Sequence, residues 1–405
     1  METDVLNRRR FLRRAGASAV GALALAGPAS LTEAGRGKKA KPSKASLYDK
    51  MFGCLAGSRI ASAMGAAVEG WSMDRITEKY GVFDKLVAYH HYNVDWDHPA
   101  GSTEDGIERQ KLMCTAIIEK QDGITARDLV KTWIKVLDPN KMKYMTEGFD
   151  RELLAHAKSG SLRPWQLGSL SKHAHLNTTA RSFHALAVIN ACDIDGVIRD
   201  VYEIGRVYQP PNSDSFEWGA AYNAGVVHAM TPDATVDSVI GTVLKHSTDE
   251  MRKEIQNGLD IAAKHSDPLN IRAELNEVYA GKDGPYAAAK RMKSYHASSI
   301  YETVTKALAV FVATRGNVKD ATITAINFGR DTDCLGATAA ALAGAFSGTA
   351  TIPPEWIEAV EQGTRNNPYT NSRLTIKETA DGMYSALKAK VSKMKDYAVL
   401  VESQY

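Results

Sequence analysis

The chain has 405 residues, 44% of them hydrophobic, which suffices for a large buried core in one big domain or two ordinary ones and is too apolar for a disordered protein. Its formal net charge of +3 comes from the N-terminus: residues 1–44 hold ten Lys/Arg against three Asp/Glu, leaving forty bases against forty-four acids in the remainder. A mildly acidic body without a basic stripe lacks what a phosphate backbone requires, which argues against nucleic acid as a partner.

Taken in chain order, the first feature is Asn7-Arg8-Arg9-Arg10-Phe11-Leu12-Arg13, a twin-arginine export pattern, followed by an Ala/Gly-rich apolar stretch from Ala15 to Gly27. That stretch is too short and too weakly apolar to span a bilayer, which takes about twenty apolar residues. Ala24-Leu25-Ala26 offers a small-x-small cleavage site, and others lie near Ala34. The expectation is a signal peptide over 1–34, a basic flexible linker over 35–46 and a folded domain over 47–405. The protein is then exported to the periplasm or secreted, with the twin-arginine machinery as a partner and no membrane association after cleavage.

From about Leu47 to Val68 the pattern predicts a helix whose small residues Gly53, Gly57, Ala61 and Gly65 recur every fourth position, so one face admits another helix closely. Residues 87–101 read as a loop carrying His90, His91, Asp95, Trp96, Asp97 and His98, and residues 161–177 as another with Trp165, His173 and His175. Spacing fixes no third ligand for a transition metal among these histidines. Helical periodicity continues over 107–120, 179–192, 197–208, 218–230, 236–247, 249–264, 299–314 and 374–401, whereas strand-like alternation is hard to find. An all-α, single-domain helical bundle follows, with no fixed-period repeat.

Cys54, Cys114, Cys192 and Cys334 are far apart, with no CxxC and no zinc spacing, and read as buried free thiols. No phosphate-cradling glycine loop and no Gly-x-Ser-x-Gly elbow is present, so nucleotide-loop enzymes and serine hydrolases of that type are set aside.

Two acidic clusters carry the chemistry: Thr103-Glu104-Asp105 and Asp331-Thr332-Asp333, each where a loop turns into a helix. Hydroxyl and carboxylate oxygens suit Mg²⁺, Mn²⁺ or Ca²⁺ rather than zinc. Either cluster alone is explained by helix capping, with Asp333 as a cap and Glu104 and Asp105 in a first turn. Their surroundings add more. Asn327 to Gly336, running into the Ala/Gly-rich segment Ala337 to Gly348 with Gly336, Ala340 and Gly344 again four apart, resembles the C-terminal Gly-Gly-Asp-Thr-Asp-Thr signature of the ADP-ribosylglycohydrolase family. Gly57 to Glu69 is similar to that family's opening helix, which ends in a Glu, and Gly101 to Gly106 to its Thr-Asp-Asp-Thr motif in the Thr-Glu-Asp-Gly form of a bacterial branch. Three separated motifs in the right order, over roughly residues 47 to 365, are far more specific than one.

The resemblance implies an all-α fold and metal-dependent hydrolysis of an N- or O-glycosidic ADP-ribosyl bond, releasing ADP-ribose or a related ribosyl product. It assigns Thr103, Glu104, Asp105, Asp331 and Asp333 to one or two Mg²⁺ (or Mn²⁺) ions, and acid, base or water-polarising roles to Glu69, Asp105 and Asp333. Trp96, Gly101, Ser102, Gly329, Arg330 and Cys334 are expected to line the pocket for an ADP-ribosylated or other ribosyl substrate, Trp96 by stacking on a base or sugar. The chain departs from the family pattern at Ala61-Ser62 (usually Gly-Asp), Glu104 (Asp), Gly106 (Thr), Arg330 (Gly) and Cys334 (Thr). Two alternatives stay open: an exported glycosidase acting on nucleosides or ribosyl small molecules, and a non-catalytic relative that binds a sugar nucleotide.

Overall fold

Two helices at the centre of the computed structural model, α1 (Leu47–Gly65) and α2 (Thr332–Ser347), make the closest pairing in the protein. The structure describes residues 45–91, 94–280, 285–287, 291 and 296–405; the expected signal peptide and nearly all of the linker lie outside them. Both helices are buried over almost their whole circumference, because their small residues remove the side chains that would hold them apart. A Cβ placed on Gly57 would sit 2.3 Å from the Ala340 carbonyl oxygen, and one on Gly65 2.6 Å from the Asp333 amide nitrogen. The two therefore run antiparallel, so the C-terminal end of α1 meets the acidic start of α2. There Thr332 Oγ1 donates to the Gly65 carbonyl at 2.8 Å.

The chain leaving α1 turns through Ala66–Val68 into Glu69 and is clamped to the segment that precedes α2. Gly70 N donates to Arg330 O and Arg330 N to Trp71 O, both at 2.7 Å, while Ser72 and Gly329 form an isolated bridge. Gly329 has φ +73 and its Cα lies so near the Trp71–Ser72 backbone that a Cβ would approach within 2.6 Å. Glycine is required there by conformation and by space.

Around this pair the described residues form one helical bundle, with a single two-stranded ribbon pairing Tyr89–His90 with Asp97–His98 inside the expected 87–101 loop. The all-α single-domain expectation is borne out. Further helices, including Met73–Tyr80, Ala126–Val136, Gly148–Ser159 and Pro354–Asn366, fill stretches the periodicity leaves unassigned. Leu47–Val68 alone among the described residues is long and apolar enough to cross a membrane, and its apolar window is 89% buried in protein, as expected of a core helix.

One expected helix is interrupted. Residues 179–192 split into Thr178–Arg181 and His184–Ile189. The Thr179 carbonyl, which a continuous helix would give to the amide four residues on, accepts instead from Asn223 Nδ2 at 2.8 Å. The break leaves Arg181 at the end of a single turn. Cys54, Cys114 and Cys334 are buried free thiols as expected, whereas Cys192 is exposed, in a left-handed turn (φ +67) after the second of these short helices.

Candidate active site

The site forms where three helix ends meet: the exit of α1, the start of α2 and the start of the helix Asp105–Lys120. Glu104 is the N-cap of Asp105–Lys120, its carboxylate accepting from Gly106 N at 2.6 Å and Ile107 N at 3.3 Å. Its Oε1 also accepts from Ser62 Oγ at 2.8 Å. The extra methylene of Glu over Asp thus reaches a short neutral residue on α1. Capping accounts for Glu104. It does not account for the second cluster: Asp331 is the N-cap of α2 but its side chain makes no capping hydrogen bond, and Asp333 lies in the first turn.

Instead, Asp331 Oδ2 accepts from Asn177 Nδ2 at 2.9 Å, and Asp331 Oδ1 and Asp333 Oδ1 have no hydrogen-bond donor among the described residues, although both side chains are buried. Burying carboxylate oxygens without donors is costly unless a cation completes them. Burial first, and then the charges of Glu69, Asp331 and Glu104, push the Asp333 pKa well above its ordinary value. Ligand atoms of Asp331, Asp333 and Cys334 lie within 4.8 Å of one another, and so do those of Glu104, Asp105 and Asp333. The oxygen-rich first set fits a hard divalent ion through Asp331 and Asp333; the thiol of Cys334, whose pKa burial raises, is the wrong donor for one.

At the second set a protein cation is already present. Arg181, 5% exposed, donates from Nη1 to Asp105 Oδ1 (2.7 Å) and Glu104 Oε2 (3.1 Å), and from Nη2 to Asp105 Oδ2 (3.1 Å) and Glu147 Oε1 (3.2 Å). Its Nη1 also lies 3.8 Å from Asp333 Oδ2 and 3.0 Å from Cys334 Sγ. Within the coupled acidic pair, burial raises both groups, but Arg181 takes the Asp105 pKa well below the carboxylate range, while burial and the Asp105 charge push Glu104 up to about 8. Thr103 is likewise engaged: its Oγ1 accepts from Lys111 Nζ at 3.0 Å, and Lys111 pairs with buried Glu108 at 2.8 Å. Of the five residues expected to hold metal, Thr103, Glu104 and Asp105 therefore engage buried side-chain cations, Asp333 meets Arg181 only through Oδ2 at 3.8 Å, and Asp331 meets none among the described residues.

The Glu69 side chain is 31% exposed, with Oε2 2.6 Å from His91 Nε2. Burial disfavours the His91 cation, but the hydrogen bond and charge of Glu69 outweigh it and hold the His91 pKa above its usual value. The loop histidines do not assemble a metal site. His90 points out to Asp97 (3.1 Å), His91 serves Glu69, and His98 packs between the rings of Tyr89 and Trp96, where burial and the neighbouring His91 lower its pKa to about 3. On the second loop His175 pairs with Asp214 at 3.3 Å.

The expected pocket residues divide. Trp96 is half-buried in an aromatic row running from Tyr89 through His98 and Trp96 to Tyr369 and Tyr144, with centroid steps of 4.6, 4.3, 4.8 and 3.9 Å. Tyr89 anchors the row near the acids by donating to Ser102 O at 3.1 Å. Gly101, with φ +82, packs against the Ala359 carbonyl and Gly329 packs as described, so close backbone packing accounts for both glycines, whereas Ser102 is fully buried with its Oγ lacking a hydrogen-bond partner among the described residues. Arg330 makes a two-pronged ion pair with buried Glu302 at 2.9 and 3.0 Å. The residues sequence reasoning missed are Arg181, Glu147 and Asn177. Arg181 left one signal, a lone charge inside an otherwise uncharged stretch from Thr178 to Ala191.

Within an all-α bundle, two acidic helix starts thus converge beside a Glu at the end of a glycine-lined helix, and the family that matches this chain is one of glycosidic-bond hydrolases. The ADP-ribosylglycohydrolase family profile matches residues 43–391, and the chain belongs to that family. Among solved structures, an ADP-ribosylglycohydrolase-related protein complex superposes with a TM-score of 0.58 at 15% identity, covering 85% of this chain and 98% of that one, a likeness of fold. No curated protein matches significantly.

Proposed function

We propose that this chain hydrolyses an N- or O-linked ADP-ribosyl bond and releases ADP-ribose or a related ribosyl product, with Mg²⁺ or Mn²⁺ held by Asp331 and Asp333. The observation that carries the reading is the pair of buried, donorless oxygens on Asp331 and Asp333 at the start of α2, close enough to Glu69 for its charge to act on Asp333. A divalent ion bound there supplies charge to orient ribose hydroxyls and to acidify a water.

The side chains supply the rest. Glu69, steadied by His91, is the partly exposed carboxylate able to take a proton from the attacking water or give one to the leaving atom. Asp105 is kept ionised by Arg181 and contributes negative charge toward the oxocarbenium-like transition state rather than carrying a proton. The half-buried end of the aromatic row, Trp96, Tyr369 and Tyr144, offers flat apolar faces to the base or sugar. Export through the twin-arginine route is supported by the N-terminal motif, and it favours free ribosyl compounds alongside modified proteins as substrates. The commitment of Thr103, Glu104 and Asp105 to protein cations favours a second reading, a relative that binds a sugar nucleotide without cleaving it.

The test is mass-spectrometric detection of ADP-ribose or ribose released from Arg-linked, Ser-linked and free ribosyl substrates, with Mg²⁺ or with EDTA. Release that needs the metal and disappears in Asp331→Ala and Asp333→Ala supports hydrolysis. Metal-dependent thermal stabilisation with no release from any substrate selects the binding reading.

A further inference from the structure

We infer that Arg181 is a built-in replacement for one divalent cation, so that the site takes a single metal ion, on its Asp331/Asp333 side. The inference rests on the metal-dependent reading above and deepens it. Glu104, Asp105 and Asp333 bring ligand oxygens within 4.8 Å of one another, a spacing suited to an ion, and one guanidinium nitrogen already lies 3.1, 2.7 and 3.8 Å from those same three carboxylates in turn. A divalent ion and this guanidinium cannot share the space. Arg181 is held from both sides, because its second nitrogen bonds Asp105 and Glu147, and a planar fork paired with a carboxylate in this way is rigid and always charged.

A separate set of observations points the same way. Four of the five departures from the family motifs touch this guanidinium or its partners. A Cβ on Gly106 would lie 2.9 Å from Arg181 Nη1, 3.0 Å from Cδ and 3.1 Å from Cζ, so the Thr found elsewhere in the family would collide with the side chain. Cys334 turns its sulfur to Nη1 at 3.0 Å. Ser62 stands where the pattern has an acid and binds Glu104 as a neutral donor. Glu104 reaches both Ser62 and Arg181, which an acid one methylene shorter would do less readily. Taken together, the substitutions remove one carboxylate and make room for one permanent cation. On the other side, Asp331 Oδ1 and Asp333 Oδ1 have no such partner and stay available.

Mn²⁺ titrated into the full chain, followed by calorimetry and by electron paramagnetic resonance, is expected to give one bound ion per chain and a spectrum without coupling between ions. Arg181→Met, which removes the charge and keeps most of the stem, is expected to raise the count to two and introduce spin coupling; Arg181→Lys, which restores a charge, is expected to stay at one. Two ions in the unaltered chain, or a folded Arg181→Met that still takes one, overturns the inference and leaves metal-dependent hydrolysis standing. No ion in the unaltered chain overturns the metal-dependent reading, and the inference with it. The count on the unaltered chain needs no variant, so it decides even where Arg181→Met does not fold.

Discussion

Gly57→Ala tests whether the closeness of α1 and α2 holds the site together. In an exposed helix interior this substitution stabilises by about 1 kcal/mol, since Ala has the higher helix propensity. At Gly57 the new Cβ would lie 2.3 Å from the Ala340 carbonyl oxygen and 2.8 Å from its carbon, both backbone atoms in a buried helix. Ordinary contact needs about 1 Å more, so the helices must part by that amount or the backbone must distort, and overpacking of a tight core costs about 1–3 kcal/mol. The net expectation is a loss of up to about 2 kcal/mol. Gly241, in the helix Val236–Lys245, is the internal control: it is exposed and a Cβ there meets nothing within 4 Å, so Gly241→Ala gains up to about 1 kcal/mol. Chemical denaturation of the two variants against the parent reads opposite signs. Equal stabilisation by both would refute the close-packed α1–α2 axis, and with it the account of how Glu69 is brought to Asp331 and Asp333.

Three other outcomes are expected. Glu69→Gln lowers kcat on a hydrolysed substrate by about 10²–10⁴-fold, the usual worth of a positioned acid or base, and unchanged turnover removes Glu69 from the chemistry. Asp150→Ala strips a bidentate partner (3.2 and 2.8 Å) from buried Arg109 and costs about 3 kcal/mol in a denaturation midpoint, at the low end for a broken buried pair because Glu147 remains 3.6 Å away. In the metal-free chain Glu104 holds its proton up to about 8, above its ordinary 4.5, and Asp333 shifts the same way. Folding then takes up protons, so stability falls as pH rises through that window. A cation held by Asp331 and Asp333 displaces the Asp333 proton, and the rise in Tm produced by Mg²⁺ should be larger at pH 8 than at pH 5.5; the reverse order contradicts the assignment.

Much of this arrangement is legible in the sequence, for physical reasons. Small residues every fourth position on 47–68 and after Gly336 announce two helices in near contact, and their approach is what carries Glu69 to the second acidic cluster. What the sequence obscures is the state of each ligand. Thr103, Glu104 and Asp105 have the side chains of a metal site, yet whether they meet an ion or a guanidinium depends on Arg181, seventy-six positions beyond Asp105 and inside what reads as an unbroken helix. Its placement follows from Asn223 taking the Thr179 carbonyl, a long-range contact that no local periodicity reveals. Gly101 and Gly329 show the converse: motif glycines draw attention as pocket residues, and their backbones are needed for close packing.

The most direct test of the central claim is a crystal structure with Mn²⁺ and ADP-ribose, read through the manganese anomalous signal. The account predicts a peak at Asp331 and Asp333, with the ribose lying between it and the Glu69 carboxylate. An ADP-ribose bound away from Glu69, or no peak at those two aspartates, would contradict it.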